Sequence, residues 1–123
     1  MKRQQPEFHF QAAVNQLLGN VLDEQTFYSA IGHGGGGVVR GAKLKAMGLK
    51  PGVPDILLIH GNVPYFGECK ALNGSLSFNQ KALIEQLRNA GMDKDQIRVW
   101  KTPEDVLDSL DTWQIPHRRL RYV

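Results

Sequence analysis

The apolar residues near the start of the chain recur at intervals of three and four positions. This spacing places side chains on one face of a helix and predicts a helix from about Pro6 to Leu22. The stripe consists of Phe10, Val14, Leu17, Leu18 and Val21. The next apolar segment, residues 26–31, is rich in β-branched and aromatic side chains and predicts a strand.

Two apolar runs in the middle of the chain predict a hairpin. The run Ile56–Ile59 is followed by Gly61-Asn62, a turn sequence, and then by residues 63–67. Asp55 stands directly before the first run, and the triplet Glu68-Cys69-Lys70 follows the second. Because the start of one hairpin strand lies beside the end of the other, we expect Asp55 to lie close to Glu68.

The remaining segments predict two helices and one strand. Ser77 and Gln80 have the spacing of a helix-capping box, residues 96–100 resemble a strand, and Thr102-Pro103 is typical of a helix start. For residues 38–47 the sequence pattern is compatible with either a short helix or an irregular basic arm. The expected fold is an α/β domain over residues 1–123, with a central mixed β-sheet flanked by helices.

Composition narrows the class of protein. Apolar residues make up 41% and charged residues 22% of the 123 positions, and no apolar run approaches the ~18 residues that a membrane span requires. The first ten residues lack the apolar core of a secretory signal. The chain has one cysteine, so an internal disulfide and an all-thiolate zinc cage are excluded. We expect a cytoplasmic protein without a membrane partner.

Charge is distributed unevenly along the chain. The net charge is +3, but no acidic residue occurs between Glu24 and Asp55. This interval contains the basic residues Arg40, Lys43, Lys45 and Lys50. A solvated face of uneven charge would account for the pattern, but its closeness to Asp55 favours contacts with nucleic-acid phosphates by Arg40, Lys43 and Lys45.

The glycine-rich segment from Gly32 to Gly37 invites two nucleotide-binding interpretations. A dinucleotide-binding fingerprint would require an acid at the end of the second strand, whereas Asp55 begins one. A phosphate-binding loop would require Lys followed by Ser or Thr, whereas Val38-Val39 follows the glycines. The segment is therefore interpreted as a loop whose backbone could approach DNA closely.

The hairpin predicts a metal site. Two carboxylates that converge repel one another unless a cation lies between them, and oxygen ligands suit Mg²⁺ or Mn²⁺. Glu68 and Lys70 are two positions apart and share a strand face. An ammonium group there could orient or deprotonate an attacking water and offset phosphate charge. The predicted reaction is phosphodiester hydrolysis, with Asp55, Glu68 and Lys70 at its centre.

The stretch GVPDILLIHGNVPYFGECKALNGSLSFNQ resembles the VRR-NUC branch of the PD-(D/E)XK nucleases. The resemblance implies a restriction-endonuclease-like fold. It also implies that Glu7 is a third acidic metal ligand, direct or through water, that the Cys69 carbonyl is a further ligand, and that Gln80 positions water or phosphate. From the residues alone, Glu7 could instead stabilise the first helical turn, and Gln80 could simply cap its helix.

The resemblance also suggests a substrate. Short stand-alone proteins of this family look like phage or bacterial dimers that cut branched DNA such as Holliday junctions. We therefore expect a homodimeric DNA endonuclease. The alternatives are a flap- or mismatch-directed nuclease that acts with a partner, and a DNA-binding module with an idle site. Trp100 and Trp113 are expected to pack in the core or an interface rather than stack on bases.

Overall fold

The structure is a computed structural model that describes residues 5–31 and 37–118, with side chains from 6–31 and 41–118. The elements, in chain order, are α1 (Gln5–Val21), β1 (Phe27–Ala30), α2 (Gly37–Ala46), β2 (Ile56–His60), β3 (Val63–Cys69), α3 (Phe78–Asn89), a 3₁₀ turn (Lys94–Gln96), β4 (Ile97–Trp100) and α4 (Pro103–Thr112). The predicted order of elements is confirmed, and the segment left open, residues 38–47, is mainly helical.

The four strands form one mixed sheet in the order β1-β2-β3-β4. The first three strands are antiparallel, and β4 runs parallel to β3 after the chain has crossed through α3. The β2–β3 turn has positive φ at both Gly61 (57°) and Asn62 (67°), as a two-residue type I′ hairpin turn requires. This turn fixes the register that pairs Ile56 with Gly67. The expected mixed α/β architecture is thus confirmed.

The main hydrophobic core lies between one face of the sheet and helices α1 and α4. Its buried members are Val14, Leu18, Val21, Ile56, Leu58, Cys69, Trp100, Val106, Leu110, Trp113 and Ile115. Within this cluster the Trp100 indole N–H donates to Ser109 Oγ at 2.8 Å, so its polar atom is satisfied. The expected packing role of Trp100 and Trp113 is confirmed.

Helix α3 begins on the opposite face of the sheet. Glu68 alternates with the core residue Cys69 along β3 and therefore points away from the hydrophobic core, towards Gln80 of α3. Leu83 is the buried residue of α3, whereas Ile84 and Leu87 are half-buried. No helix within residues 5–31 and 37–118 is long and apolar enough to cross a membrane.

Candidate active site

The β2–β3 hairpin brings Asp55 and Glu68 together. Ile56 pairs directly with Gly67. Asp55 precedes Ile56 and Glu68 follows Gly67, so the two acidic residues lie side by side on neighbouring strands. The Asp55 N–H donates to Glu68 Oε1 at 3.1 Å, and the Cys69 N–H donates to Asp55 Oδ2 at 2.8 Å. Each carboxylate is therefore held by backbone at the end of the neighbouring strand, and the proximity expected from the hairpin is observed.

Glu68 lies in an unusual electrostatic environment. Its side chain is only 2% exposed, and this burial, followed by the hydrogen bond to Asp55 and the charge of Asp55, raises the pKa of Glu68 from 4.5 to about 9. The positive charge of Lys70 opposes the increase but does not cancel it. A carboxyl group in this setting keeps its proton at neutral pH unless a cation stabilises the ionised form.

Lys70 continues from the end of β3 into the site. Its backbone N–H donates to Trp100 O at 2.9 Å, which prolongs the β3–β4 pairing by one residue. The residue is 8% exposed, and its ammonium lies 3.8 Å from Glu7 Oε1. Helix α1 therefore supplies Glu7 in its first turn as a neighbour of the lysine.

The carboxylates do not form a three-acid cluster. Among the residues that the structure describes, no group of three or more His, Cys, Asp or Glu side chains is placed to hold a metal ion. Glu7 contacts Lys70 instead, so its direct ligation of a metal stays a prediction. The Cys69 thiol is 1% exposed in the core, and burial raises its pKa, which leaves its backbone carbonyl as the predicted ligand.

The donors nevertheless fit a hard divalent cation. Asp55 and Glu68 offer carboxylate oxygens, which Mg²⁺ and Mn²⁺ prefer over nitrogen or sulfur. A cation between them would also offset the burial that raises the pKa of Glu68. Backbone hydrogen bonds to and from Asp55 fix both groups before any ligand binds.

Gln80 serves two structural purposes. Its Oε1 accepts from the Ser77 N–H at 2.8 Å, while its own N–H donates to Ser77 Oγ at 3.2 Å, so the predicted capping box is confirmed. Its side-chain Nε2 also donates to Glu68 Oε2. The two interpretations left open from the sequence are therefore compatible, because one amide caps α3 with its oxygen and reaches the site with its nitrogen.

Two glycines that sequence reasoning assigned to no role shape the site. Gly52 has φ +87°, and a Cβ there would lie 2.3 Å from Asn79 O, so the segment before Asp55 packs directly on the start of α3. A Cβ at Gly67 would lie 2.1 Å from the Trp100 ring. The signal for Gly67 was a glycine inside a strand, which often marks a close approach.

Part of the basic segment lies beside Asp55. Lys43 and Lys45 are exposed on α2, whereas the side chain of Arg40 lies outside the described residues. Lys45 and Lys50 line a cleft of ≈ 320 Å³ together with Asp55. Residues 32–36 of the glycine-rich segment and residues 119–123, which include Arg119 and Arg121, also lie outside the described residues.

Comparison of the chain with protein-family models, curated proteins and solved structures gives no match.

Proposed function

We propose that this chain is a divalent-metal-dependent endonuclease that hydrolyses phosphodiester bonds in DNA, with Asp55 and Glu68 holding Mg²⁺ or Mn²⁺. The observation that carries the proposal is the pair of carboxylates at the hairpin end, each of which accepts a backbone N–H: the Asp55 N–H donates to Glu68 Oε1 at 3.1 Å, and the Cys69 N–H donates to Asp55 Oδ2 at 2.8 Å. Lys70 follows two residues later and is nearly buried. A pair of acids beside a lysine suits hydrolysis of a phosphodiester, whose transition state carries excess negative charge.

The residues around the carboxylates have distinct proposed roles. Lys70 would orient or deprotonate the attacking water and offset charge on the phosphate. Glu7, 3.8 Å from the ammonium, would hold Lys70 in place and assist the metal directly or through water. Gln80, fixed by the α3 cap, would position water or phosphate. When bound, the cation would acidify water at the site and neutralise phosphate charge.

The finer proposal is a VRR-NUC enzyme of restriction-endonuclease-like fold that acts on branched DNA such as Holliday junctions. The four-stranded mixed sheet with flanking helices supports the fold. The G-V-P-D, E-x-K and glutamine spacing supports the family, and the basic α2 beside the site supports DNA as the substrate. A homodimer would supply two sites for paired nicks on a symmetric junction.

A metal-titrated cleavage assay tests the activity. Four-way junctions, flaps and linear duplexes are compared with Mg²⁺, with Mn²⁺ and with a chelator, for the natural chain and for Asp55→Asn and Lys70→Ala. Lys94→Ala, at the opposite end of the β3–β4 pair, is the matched lysine control. We expect metal-dependent cutting of junctions that both site variants lose and the control keeps.

Different outcomes would contradict the enzymatic activity, the junction selectivity, the role of Lys70 and the dimer. Junction binding without metal-dependent cutting would overturn the enzyme and leave a DNA-binding module. Equal cutting of linear duplex would overturn junction selectivity, and preference for flaps would favour the flap-directed alternative. Full activity of Lys70→Ala would remove that lysine from catalysis. A measurement of molecular mass in solution, with and without DNA, tests the dimer.

A further inference from the structure

A cleft beside the carboxylates has one apolar wall and one basic rim. Leu44 on α2 and Leu49 and Val53 on the following segment form the apolar part, while Lys45 and Lys50 contribute the basic part. Its volume of ≈ 320 Å³ lies near the lower end of the roughly 300–1,000 Å³ that small-molecule sites occupy. The space therefore suits one small, flat group rather than a helix or a duplex.

The cleft opens onto the proposed catalytic centre. Asp55 and Gln80, which both contact Glu68, are also among the residues that line it. Anything bound in the cleft consequently lies next to the phosphate that the carboxylates would act on. Gly52 keeps the passage between the cleft and the carboxylates narrow, because a side chain at this position would collide with the backbone of Asn79.

The charge of the cleft favours an anion at its rim. Lys45 and Lys50 are exposed, and neither forms a salt bridge with another residue that the structure describes. Two lysines above an apolar wall match the chemistry of a nucleotide, which combines a flat base with a charged phosphate. A free phosphate would use the lysines but leave the apolar wall without a partner.

We propose that this cleft binds one unpaired nucleotide adjacent to the cleaved phosphate, with its base against Leu44, Leu49 and Val53 and its phosphate at Lys45 and Lys50. The inference rests on the proposed nuclease function and narrows its substrate class. A base inside a duplex is paired and stacked, so it has to leave the helix before it can enter such a cleft. The preferred cut is therefore next to an unpaired nucleotide, as at a branch point or a flap.

Binding can be measured without catalysis. The ¹⁵N-labelled chain is titrated in chelator-containing buffer with a thymidine trinucleotide, and with a trimer of the same deoxyribose-phosphate backbone that lacks all three bases. We expect saturable shifts of the Leu44, Leu49 and Val53 amides with the trinucleotide, and at least about fivefold weaker binding without bases. Inorganic phosphate should shift the lysine amides but leave those of the apolar wall unchanged.

A pair of α2 variants locates the bound base. Gly41 lines the cleft, has no positive φ, and an added Cβ there meets nothing within 4 Å, so Gly41→Phe fills the space without a backbone collision. Ala42→Phe adds the same ring at the neighbouring exposed position, which does not line the cleft. Gly41→Phe should abolish the base-dependent gain, and Ala42→Phe should retain it.

The outcomes separate the cleft from the nuclease activity. Equal binding of the two trimers, or base-dependent binding that survives Gly41→Phe, would overturn the nucleotide site even if the chain cuts DNA. Base-dependent binding that only Gly41→Phe removes would support the site even if no DNA is cut, and the proposed nuclease would then fail alone. Unchanged folding of both variants is verified by their amide spectra.

Discussion

On one face of the sheet, Leu58 and Trp100 are fully buried against α1 and α4, whereas on the other face Ile59 and Val99 of the same strands are 39% and 37% exposed. Neighbouring residues of one strand thus experience different surroundings, because successive side chains point to opposite faces. The first face is a continuous apolar core. The second carries Glu68 and borders the cleft, so the molecule separates the packing that stabilises it from the charges that we assign to function.

The separation has a physical reason. Charged groups are costly to bury in a close-packed apolar core, whereas a half-covered face leaves space for a cation, water and substrate. Among the described residues, Glu68 and Lys70 are the only buried members of the acidic and basic residue types Asp, Glu, Lys, Arg and His. They lie where the sheet meets Gln80 and Glu7, which provide a hydrogen bond and an ion-pair partner.

The largest effect is expected from the carboxylates. Asp55→Asn and Glu68→Gln should each lower the rate of DNA cleavage by about 1,000-fold or more, because a lost metal site removes several kcal/mol of transition-state stabilisation. The measurement is single-turnover cleavage of a four-way junction at saturating Mg²⁺. Both variants should remain folded, because the amide oxygen of Asp55→Asn can still accept from the Cys69 N–H and that of Glu68→Gln from the Asp55 N–H, although Glu68→Gln gives up the hydrogen bond from Gln80 Nε2.

Asp108→Asn is the matched control for these variants, because it removes one acid at an exposed position of α4. Its cleavage rate should equal that of the natural chain. A similar loss in Asp108→Asn would indicate that overall charge, rather than the hairpin site, governs the rate.

The opposite face is tested by truncating two neighbours in β2. Leu58→Ala should lower the free energy of unfolding by about 2–5 kcal/mol, because it leaves a cavity in the core. Ile59→Ala, on the exposed face, should cost at most about 1 kcal/mol. Urea denaturation followed by tryptophan fluorescence measures both. Equal losses would show that the second face is covered in solution, as it would be within a dimer interface.

Much of the fold was predictable because its signals are local. The stripe from Phe10 to Val21, the Gly61-Asn62 turn and the Ser77 cap each depend on residues within one element, and each is found in the structure. Hairpin geometry also led directly to the contact between Asp55 and Glu68. Short-range periodicity and turn chemistry were sufficient for these features.

The pH dependence of stability tests the charged face without DNA. The folded chain keeps the Glu68 proton up to a pKa of about 9, whereas the unfolded chain releases it near 4.5. The stabilising effect of that proton is therefore complete below pH 4.5 and is lost as the pH rises towards 9. In the presence of a chelator, the free energy of unfolding of the natural chain should fall between pH 5 and pH 8 by on the order of a few kcal/mol relative to that of Glu68→Gln.

Adding Mg²⁺ at pH 8 should restore stability to the natural chain and leave Glu68→Gln unchanged, because a bound cation favours the ionised carboxylate. Parallel pH profiles for the two chains, with or without Mg²⁺, would contradict both the buried protonated carboxyl and its use as a metal ligand.

A glycine pair tests how tightly the core face positions the site. Gly67→Ala should destabilise the chain by about 1–3 kcal/mol, because its Cβ would lie 2.1 Å from the Trp100 ring. Gly41→Ala, in α2 with open space around it, should stabilise the helix by about 0.5–1 kcal/mol. Thermal unfolding of both variants provides the measurement. A neutral Gly67→Ala would mean that Trp100 can move aside without loss of packing.

The parts of the site that the sequence left undetermined depend on contacts between distant elements. Periodicity does not report that Gly67 lies under Trp100, that Gly52 packs on Asn79, or that Glu7 reaches Lys70. The first contact arises from the pairing of β3 with β4, and the other two from the placement of α3 and α1 on the sheet, so all three join residues 27 to 63 positions apart in the sequence. The resemblance suggested Glu7 as a metal ligand, but the contact with lysine depends on where α1 lies.

The smallest effect is expected from a single lysine beside the cleft. Lys45→Gln should weaken DNA binding a few-fold at moderate salt and reduce the slope of log affinity against log salt by about 0.9, the contribution of one phosphate contact in duplex DNA. Lys94→Gln removes the same charge just before the start of β4, at the end of the β3–β4 pair that lies away from Glu68. It should leave the slope unchanged. Fluorescence anisotropy with a labelled junction, from low to moderate salt, measures both. Equal changes in the two variants would show that DNA responds to net charge alone, so the face that carries the carboxylates would have no special role in binding.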